Sequence, residues 1–501
     1  MRQALRILRK DVRHLWPRAA VVVFLVAVYA YIEAIFPRNF MLIFAEGGCG
    51  FLLMLAAWFV VVSVIHEDRL TGNNQFWVTR PYSWRSLLLA KALFILLFLN
   101  LPVLLAQMAA LAGAGLSPLH YLPKLLWRQL GFAAMSLAPV AALAAVTANL
   151  VQFAMTFLAI FAGLYALLLG LSMRVGTDAL AWGSAGPVVT ACQSAITGLF
   201  AVSVCVLQYS RRATTPARWL VACGVVAPWV FAAFVPWGAA FAVLSTRSPA
   251  VDPAVLQLSL DPGRNVHTGG GGETHWMHDD TLGITLPIQV SGIPAGMEAY
   301  SERIKVTVEA PGEAAWSSPW NSLNKVRSMT AIQFSNGQLF PSDGGPYWLY
   351  ANIDRSFFYR FSATPVHLRA NVAFTVLGKP TTTRLTVSNR RQPLPDDGFC
   401  YLQSISGFPS PLCFAALRKA AEYTVRLQPL ETGDVQEYGS IESMQQTGTL
   451  NVFSIWERLS SGVGYKPPPS PYAVFFETRQ AVAHFERVLD LQGVRLQEMR
   501  P

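Results

Sequence analysis

Seven apolar stretches crowd the first half of this chain, at about residues 19–36, 48–65, 86–112, 131–148, 151–172, 186–208 and 219–244. Crossing a hydrocarbon core of about 30 Å takes roughly 20 apolar residues in a helix, and every backbone polar group at that depth must be satisfied within the protein. The fourth and fifth runs abut at Thr147–Gln152 with no charge between them. A single helix covering both would measure about 63 Å at 1.5 Å per residue, so they are read as two. Only 14% of the residues are charged, against roughly 25% in soluble domains. A fully soluble enzyme and a nucleic-acid-binding protein are both excluded.

The formal charge of +10 is unevenly placed. Residues 1–245 carry 17 Lys/Arg against 6 Asp/Glu, whereas 246–501 carry the remaining 22 and 23. The basic excess therefore belongs to the apolar half, where it orients helices in a bilayer. With the N-terminus in the cytoplasm, the cations before the first run, between the second and third, and between the sixth and seventh are all cytoplasmic. That puts 13 inside and leaves Arg38, Lys124, Arg128 and Arg174 outside. Seven crossings then predict a C-terminal domain, 246–501, in the periplasm or outside the cell, on a multi-pass protein of a bacterial-type inner membrane. Residues 1–18 lack a small-residue cleavage site and are not read as a cleaved signal. Leu5, Leu8, Val12, Leu15 and Trp16 fall on one helical face, which predicts an amphipathic helix lying in the cytoplasmic interface ahead of a membrane domain at 19–245.

Ionisable and amide groups within the spans are few. Glu33, close to Pro37 and Arg38, reads as an interfacial carboxylate, with a role in a transport pathway as the alternative. Asn100 precedes Pro102 and could satisfy carbonyls freed by a kink or bond a neighbouring helix. So little intramembrane charge disfavours an ion-coupled carrier.

The loop VIHEDRLTGNNQFWVTRPYSWRSLLLAK, residues 64–91, has a charged helix end, a turn at Thr71–Asn74, and an aromatic pair too apolar to remain in water. Ser83 is placed to cap a helix beginning near Trp84. This loop resembles the membrane subunits of ABC-type exporters of the second permease class. In that family an acidic residue ends the second helix, followed by a Gly, an apolar patch, a Pro with a nearby Ser, and a Lys entering the third helix. Here Glu67, Gly72, Phe76–Trp77, Pro81, Ser83 and Lys91 occupy those places. The resemblance covers about residues 1–210. It implies a homodimer or a pairing with a similar permease, and a separate cytoplasmic ATP-binding subunit contacted by Glu67, Arg69, Gly72, Phe76, Trp77, Arg80 and Pro81. The alternative is an aromatic loop resting on the bilayer. No GxxxxGK[ST] loop is present, since the only Gly-Lys pair, Gly378-Lys379, precedes Pro380. Any ATP hydrolysis is therefore expected in another chain. The chain departs from the family in its seventh helix and about 255 further residues.

Beyond residue 250 the hydrophobic period changes. Ile284, Leu286 and Ile288 alternate with other positions, as do Ile304, Val306 and Val308; later candidates are Val366–Val376, Thr383–Val387, Tyr423–Leu427 and Val488–Leu496. Short alternating stretches divided by Gly, Pro, Asn and Asp predict an all-β, sandwich-like domain, as one elaborate sandwich or two split near 362–365. A helical insertion is expected at Leu412–Glu422. Cys400 and Cys413 could form a disulfide in an oxidising compartment. His267, His275, His278, Asp279 and Asp280 match no standard metal spacing. Trp316, Trp320, Tyr347, Trp348 and Tyr350 read as core more than as a sugar platform, and Lys466–Pro471 as a stiff turn or linker. With no GxSxG, HExxH or CxxC pattern, neither catalysis nor a cofactor is expected. The sequence points to a permease-like export subunit of unknown substrate. The alternative is a non-transporting membrane anchor whose β domain binds or senses an envelope component.

Overall fold

The computed structural model describes residues 1–34, 40–68, 71, 83–175, 186–235, 237–245, 251–252, 255–261, 281–318, 320–322, 339–341, 347–385, 388–394, 398–405, 408–416, 421–429, 436–440, 443–445, 450–454 and 472–499. Ten helices come first: α1 (Arg2–Ala34), α2 (Phe40–Glu67), α3 (Trp84–Ile95), α4 (Leu101–Gly113), α5 (Pro118–Phe132), α6 (Ala138–Val146), α7 (Leu150–Val175), α8 (Gly186–Arg211), α9 (Thr214–Phe234) and α10 (Trp237–Ser245). Among the described residues they supply seven segments long and apolar enough to cross a membrane, so the chain is a multi-pass membrane protein. The third is α3 and α4 joined through a π-helical turn at Leu96–Asn100, and the fourth is α5 and α6 joined through another at Ala133–Leu137. Each π turn ends two residues before a proline, Pro102 and Pro139. Proline has no N–H to donate and its ring crowds the carbonyl four residues back, and the widened turn absorbs both defects.

The predicted break between the fourth and fifth spans has a local cause. Thr147 leaves the helix in extended conformation. Asn149 Oδ1 then accepts from the Gln152 N–H at 2.8 Å, and Gln152 Oε1 accepts from the Ala148 N–H at 2.7 Å. These two side-chain caps start α7. Ser83 likewise caps α3, its hydroxyl accepting from the Ser86 N–H at 3.2 Å.

Two membrane expectations are corrected. Residues 2–18 do not form a separate in-plane helix, because α1 runs unbroken through Pro17 into the first span. Its buried stripe is Ala4, Ile7, Asp11, Leu15, Ala19, Val22 and Val26, whereas Leu5 and Trp16 are exposed. Packing along this whole stripe favours continuity over the interface. The seventh apolar run is also divided: α9 ends at Phe234, and α10 covers the β region.

The second half contains β1 (Gln257–Leu260), β2 (Thr281–Ser291), β3 (Glu298–Glu309), β4 (Trp316–Ser317), β5 (Asn321–Ser322), β6 (Leu339–Pro341), β7 (Tyr347–Asp354) and β8 (Val366–Leu377). There follow β9 (Thr381–Leu385), β10 (Ser388–Leu394), β11 (Gly398–Ile405), β12 (Phe408–Ala416), β13 (Ala421–Pro429), β14 (Gln436–Ser440), β15 (Ser443–Gln445), β16 (Leu450–Ser454) and β17 (Tyr472–Val494). All described pairings are antiparallel. The sheet β1-β2-β7 faces β3, β8 and β17 across a core that includes Ile284, Leu286, Ile288, Val306, Leu368 and Phe374, giving the expected sandwich. A third sheet has the order β10-β11-β12-β16-β15.

Residues 362–365 do not separate two strand systems. β8, which follows them, pairs with β3, which precedes them, and both belong to the sheet containing β17. The expected helix at Leu412–Glu422 is absent from its described part, which belongs to strands β12 and β13. The short helix of the β region is instead α11 (Arg355–Phe361), capped by Asp354, whose carboxylate accepts from the Phe357 N–H at 2.9 Å.

β8 shows how the two halves join. Its burial alternates at first and then becomes continuous from Val372 to Leu377. The face that would be solvated is covered by α10, where Ala240 and Phe241 pack on Ala373. A second joint forms where the turn between α4 and α5 meets the third sheet: Leu111, Ala114, Tyr121 and Leu125 enclose Phe399 and Phe414.

Candidate functional site

The most concentrated polar chemistry in the helical half lies where α1, the end of α2 and the start of α3 meet. Lys91 Nζ is 2.9 Å from Asp11 Oδ2 and 2.6 Å from Asp68 Oδ2. Lys10 Nζ completes the group, 2.9 Å from Asp68 Oδ1 and 3.3 Å from Asp11 Oδ1. Lys91 and Asp11 are almost fully buried, Asp68 nearly so, and only Lys10 reaches solvent. Two cations and two anions balance, which makes burial tolerable. Burial opposes ionisation of Asp68, but Lys91 and then Lys10 outweigh it and hold its carboxyl below the usual carboxylate range. Tyr209 of α8, also buried, lies within electrostatic reach of Asp68 and Asp11. Its hydroxyl has no hydrogen-bond partner among the described residues.

The same end of the bundle is tied further by the last carbonyls of α6. His66 Nε2 lies 3.1 Å from the Ala144 carbonyl, Thr147 Oγ1 donates to the Leu143 carbonyl at 3.0 Å, and Arg218 Nη2 donates to the Val146 carbonyl at 3.5 Å. Side chains from α2 and α9 thus help satisfy groups that a helix end leaves open. This end gathers the first residues of α1, α3 and α9 and the last of α2 and α6. The joints to the β region lie at the opposite end.

Of the residues expected in the loop, Glu67 is exposed at the end of α2, immediately before the buried Asp68. Arg69, Gly72, Phe76, Trp77, Arg80 and Pro81 lie outside the described residues. Asp11, the one acid among the basic residues at 2–18, falls on the buried stripe of Ile7 and Leu15. Lys91 reads in the sequence as one cation of the second loop and, by the resemblance, as the Lys entering the third helix.

Glu33 is fully buried within the helical half, not at an exposed interface. Glu46 is buried too, and the Tyr29 hydroxyl donates to its Oε1 at 3.3 Å. Asn100 ends the π turn of the third span; its side chain caps nothing, and its Oδ1 has no partner among the described residues. A buried amide–amide hydrogen bond links α4 and α5, where Gln129 Nε2 donates to Gln107 Oε1 at 3.0 Å.

In the β region Cys400 is disulfide-bonded, and the residue directly opposite it on the β11–β12 ladder is Cys413. Cys49, Cys192, Cys205 and Cys223 are free. Trp316 packs against the sandwich core and Trp320 against the α10 joint, so they form no shared platform. His267, His275, His278, Asp279, Asp280 and Lys466–Pro471 lie outside the described residues. Among the described residues no group of three or more His, Cys, Asp or Glu side chains could hold a metal ion.

These features define the class: a multi-pass membrane protein whose helical half carries a buried charge cluster at one end and a β-rich region docked at the other. No protein-family model matches the sequence, and no curated protein matches it.

Proposed function

We infer that this chain is a permease-like subunit of an ABC-type export system, driven through its second loop by a separate cytoplasmic ATPase. The observation that carries this reading is the charge cluster itself. It fastens both ends of the loop, Asp68 before it and Lys91 after it, to Asp11 of α1. A force applied to residues 69–82 therefore reaches three spans directly. Exposed Glu67 stands at the loop's entry, as expected of a contact residue. The opposed placement of charge cluster and β region supports an odd number of crossings, and the positive-inside bias supports a cytoplasmic loop. On this reading the β region lies in the periplasm or outside the cell, where it gates or receives substrate, and the helical half pairs with a second copy or a similar permease.

Affinity purification of the full chain from its native membrane tests the proposal. A nucleotide-binding subunit is expected to co-purify and to be lost on Trp77→Ala or Glu67→Ala. If wild-type protein brings down no ATPase, the reading fails, and a non-transporting membrane anchor for the β region takes its place.

A further inference from the structure

We propose that α4, α5 and the turn between them form a lever that swings as one body about the two π turns, with its tip held by the β region. The hinges lie at matching depth: counting from the turn at 114–117, each is on the order of 20–25 Å away at 1.5 Å per residue. Both have the same construction, a π turn ending two residues before Pro102 or Pro139. Beyond each hinge the span is pinned. α3 is held by Lys91 in the charge cluster, and α6 by the bonds from His66 and Arg218 to its last carbonyls.

Between the hinges the two arms are joined to each other by the buried Gln107–Gln129 bond, 3.0 Å long. The second hinge lies in close contact with α8. Gly198 of α8 lies so close to Ala134 that an added Cβ would stand 3.1 Å from the alanine Cβ, and Asn100 Oδ1 is left without a partner among the described residues. π turns are common at such functional breaks.

The tip is gripped from outside. Phe399 and Phe414 stack at 5.0 Å between ring centroids and sit among Leu111, Ala114, Tyr121 and Leu125. Arg391 of β10 lies over the Phe399 ring at 3.9 Å and also reaches Gly115. Gly115 has φ +68°, a backbone conformation that favours glycine, and a Cβ there would come within 2.8 Å of the guanidinium, which would have to shift. Phe399 and Phe414 occupy the rung next to the Cys400 and Cys413 rung, so the disulfide at Cys400 stiffens the clamp. Movement of the β region is thereby converted into bending at the hinges, and movement of the pinned ends is carried outward by the same route. This inference stands without an ATPase and is tested separately from it.

Amide hydrogen exchange on the full chain in lipid nanodiscs reads the hinges directly. Loosening the clamp by Arg391→Ala, and more strongly by Phe399→Ala, is expected to speed exchange at 96–100 and 133–137 by about tenfold while 84–95 and 138–146 stay unchanged. Replacing both prolines, Pro102→Ala with Pro139→Ala, is expected to slow exchange at those two segments by a similar factor with the 114–117 turn unaffected. Acceleration spread evenly over 84–146, or hinge exchange indifferent to both clamp and proline variants, would overturn the lever.

Discussion

At the residue scale, Lys91 is the side chain on which most depends. It bridges two buried carboxylates from different helices, and removing it leaves them with Lys10 alone. Lys91→Met is expected to destabilise the helical half by about 3–5 kcal/mol, the usual cost of breaking a buried pair from one side. Adding Asp11→Asn to that variant restores charge balance and should recover part of the loss. Thermal unfolding in detergent checks both, and strictly additive losses would contradict the coupling. His484 makes a different prediction. Its Nδ1 lies 2.8 Å from Thr375 Oγ1, which also bonds Glu302, and its ring stacks on Phe241 of α10. Burial lowers its pKa from 6.5 to about 4. Between these values the unfolded chain takes up a proton that the fold refuses. Stability at this group is therefore complete above about pH 6.5, falls by about 3 kcal/mol on acidification, and levels off below about pH 4. Unfolding of the wild type and of His484→Gln from pH 7 to 4 should show the variant with the flatter curve.

At the element scale, continuity and interruption both have residue-level causes. Pro17 does not break α1, because the face around it carries Leu15 and Ala19 into the core. The fourth and fifth spans part because Asn149 caps the Gln152 N–H while Gln152 reaches back to the Ala148 N–H. Asn149→Ala is expected to cost about 1 kcal/mol, as cap losses do. Unfolding of the variant in detergent measures this, and no loss would show that the extended Thr147 suffices. The break was readable in the sequence as an excess of apolar length. The two π turns were not, although Pro102 and Pro139 mark them, since a proline signals a defect without saying how a packed helix absorbs it. The absence of the helix expected at 412–422 has a related reason: the stretch contains helix-forming alanines, but pairing with β11, β16 and β17 overrides local propensity.

At the scale of the whole molecule, two joints connect the halves among the described residues, one through α10 and one through the disulfide-braced β11–β12 hairpin. Non-reducing peptide mapping is expected to recover Cys400 linked to Cys413, and reduction to lower the stability of the β region by about 3 kcal/mol for a loop of about 15 residues. Recovery of Cys400 joined to any other cysteine would refute this pairing. The sequence by itself determined the number of spans, the change from helical to strand periodicity near residue 250, and the unequal distribution of cations. Each is a property of a segment taken alone: apolar length that suits lipid, alternation that suits a half-buried sheet, and a local count of charges. Only the tertiary structure decided that Asp11 meets Asp68 and Lys91, that Glu33 turns inward, that α10 leaves the seventh apolar run to cover β8, and that β8 and β3 share one sheet across 362–365. Those outcomes depend on which distant side chains arrive together, and neither burial nor charge pairing between them is written in the local pattern of either partner.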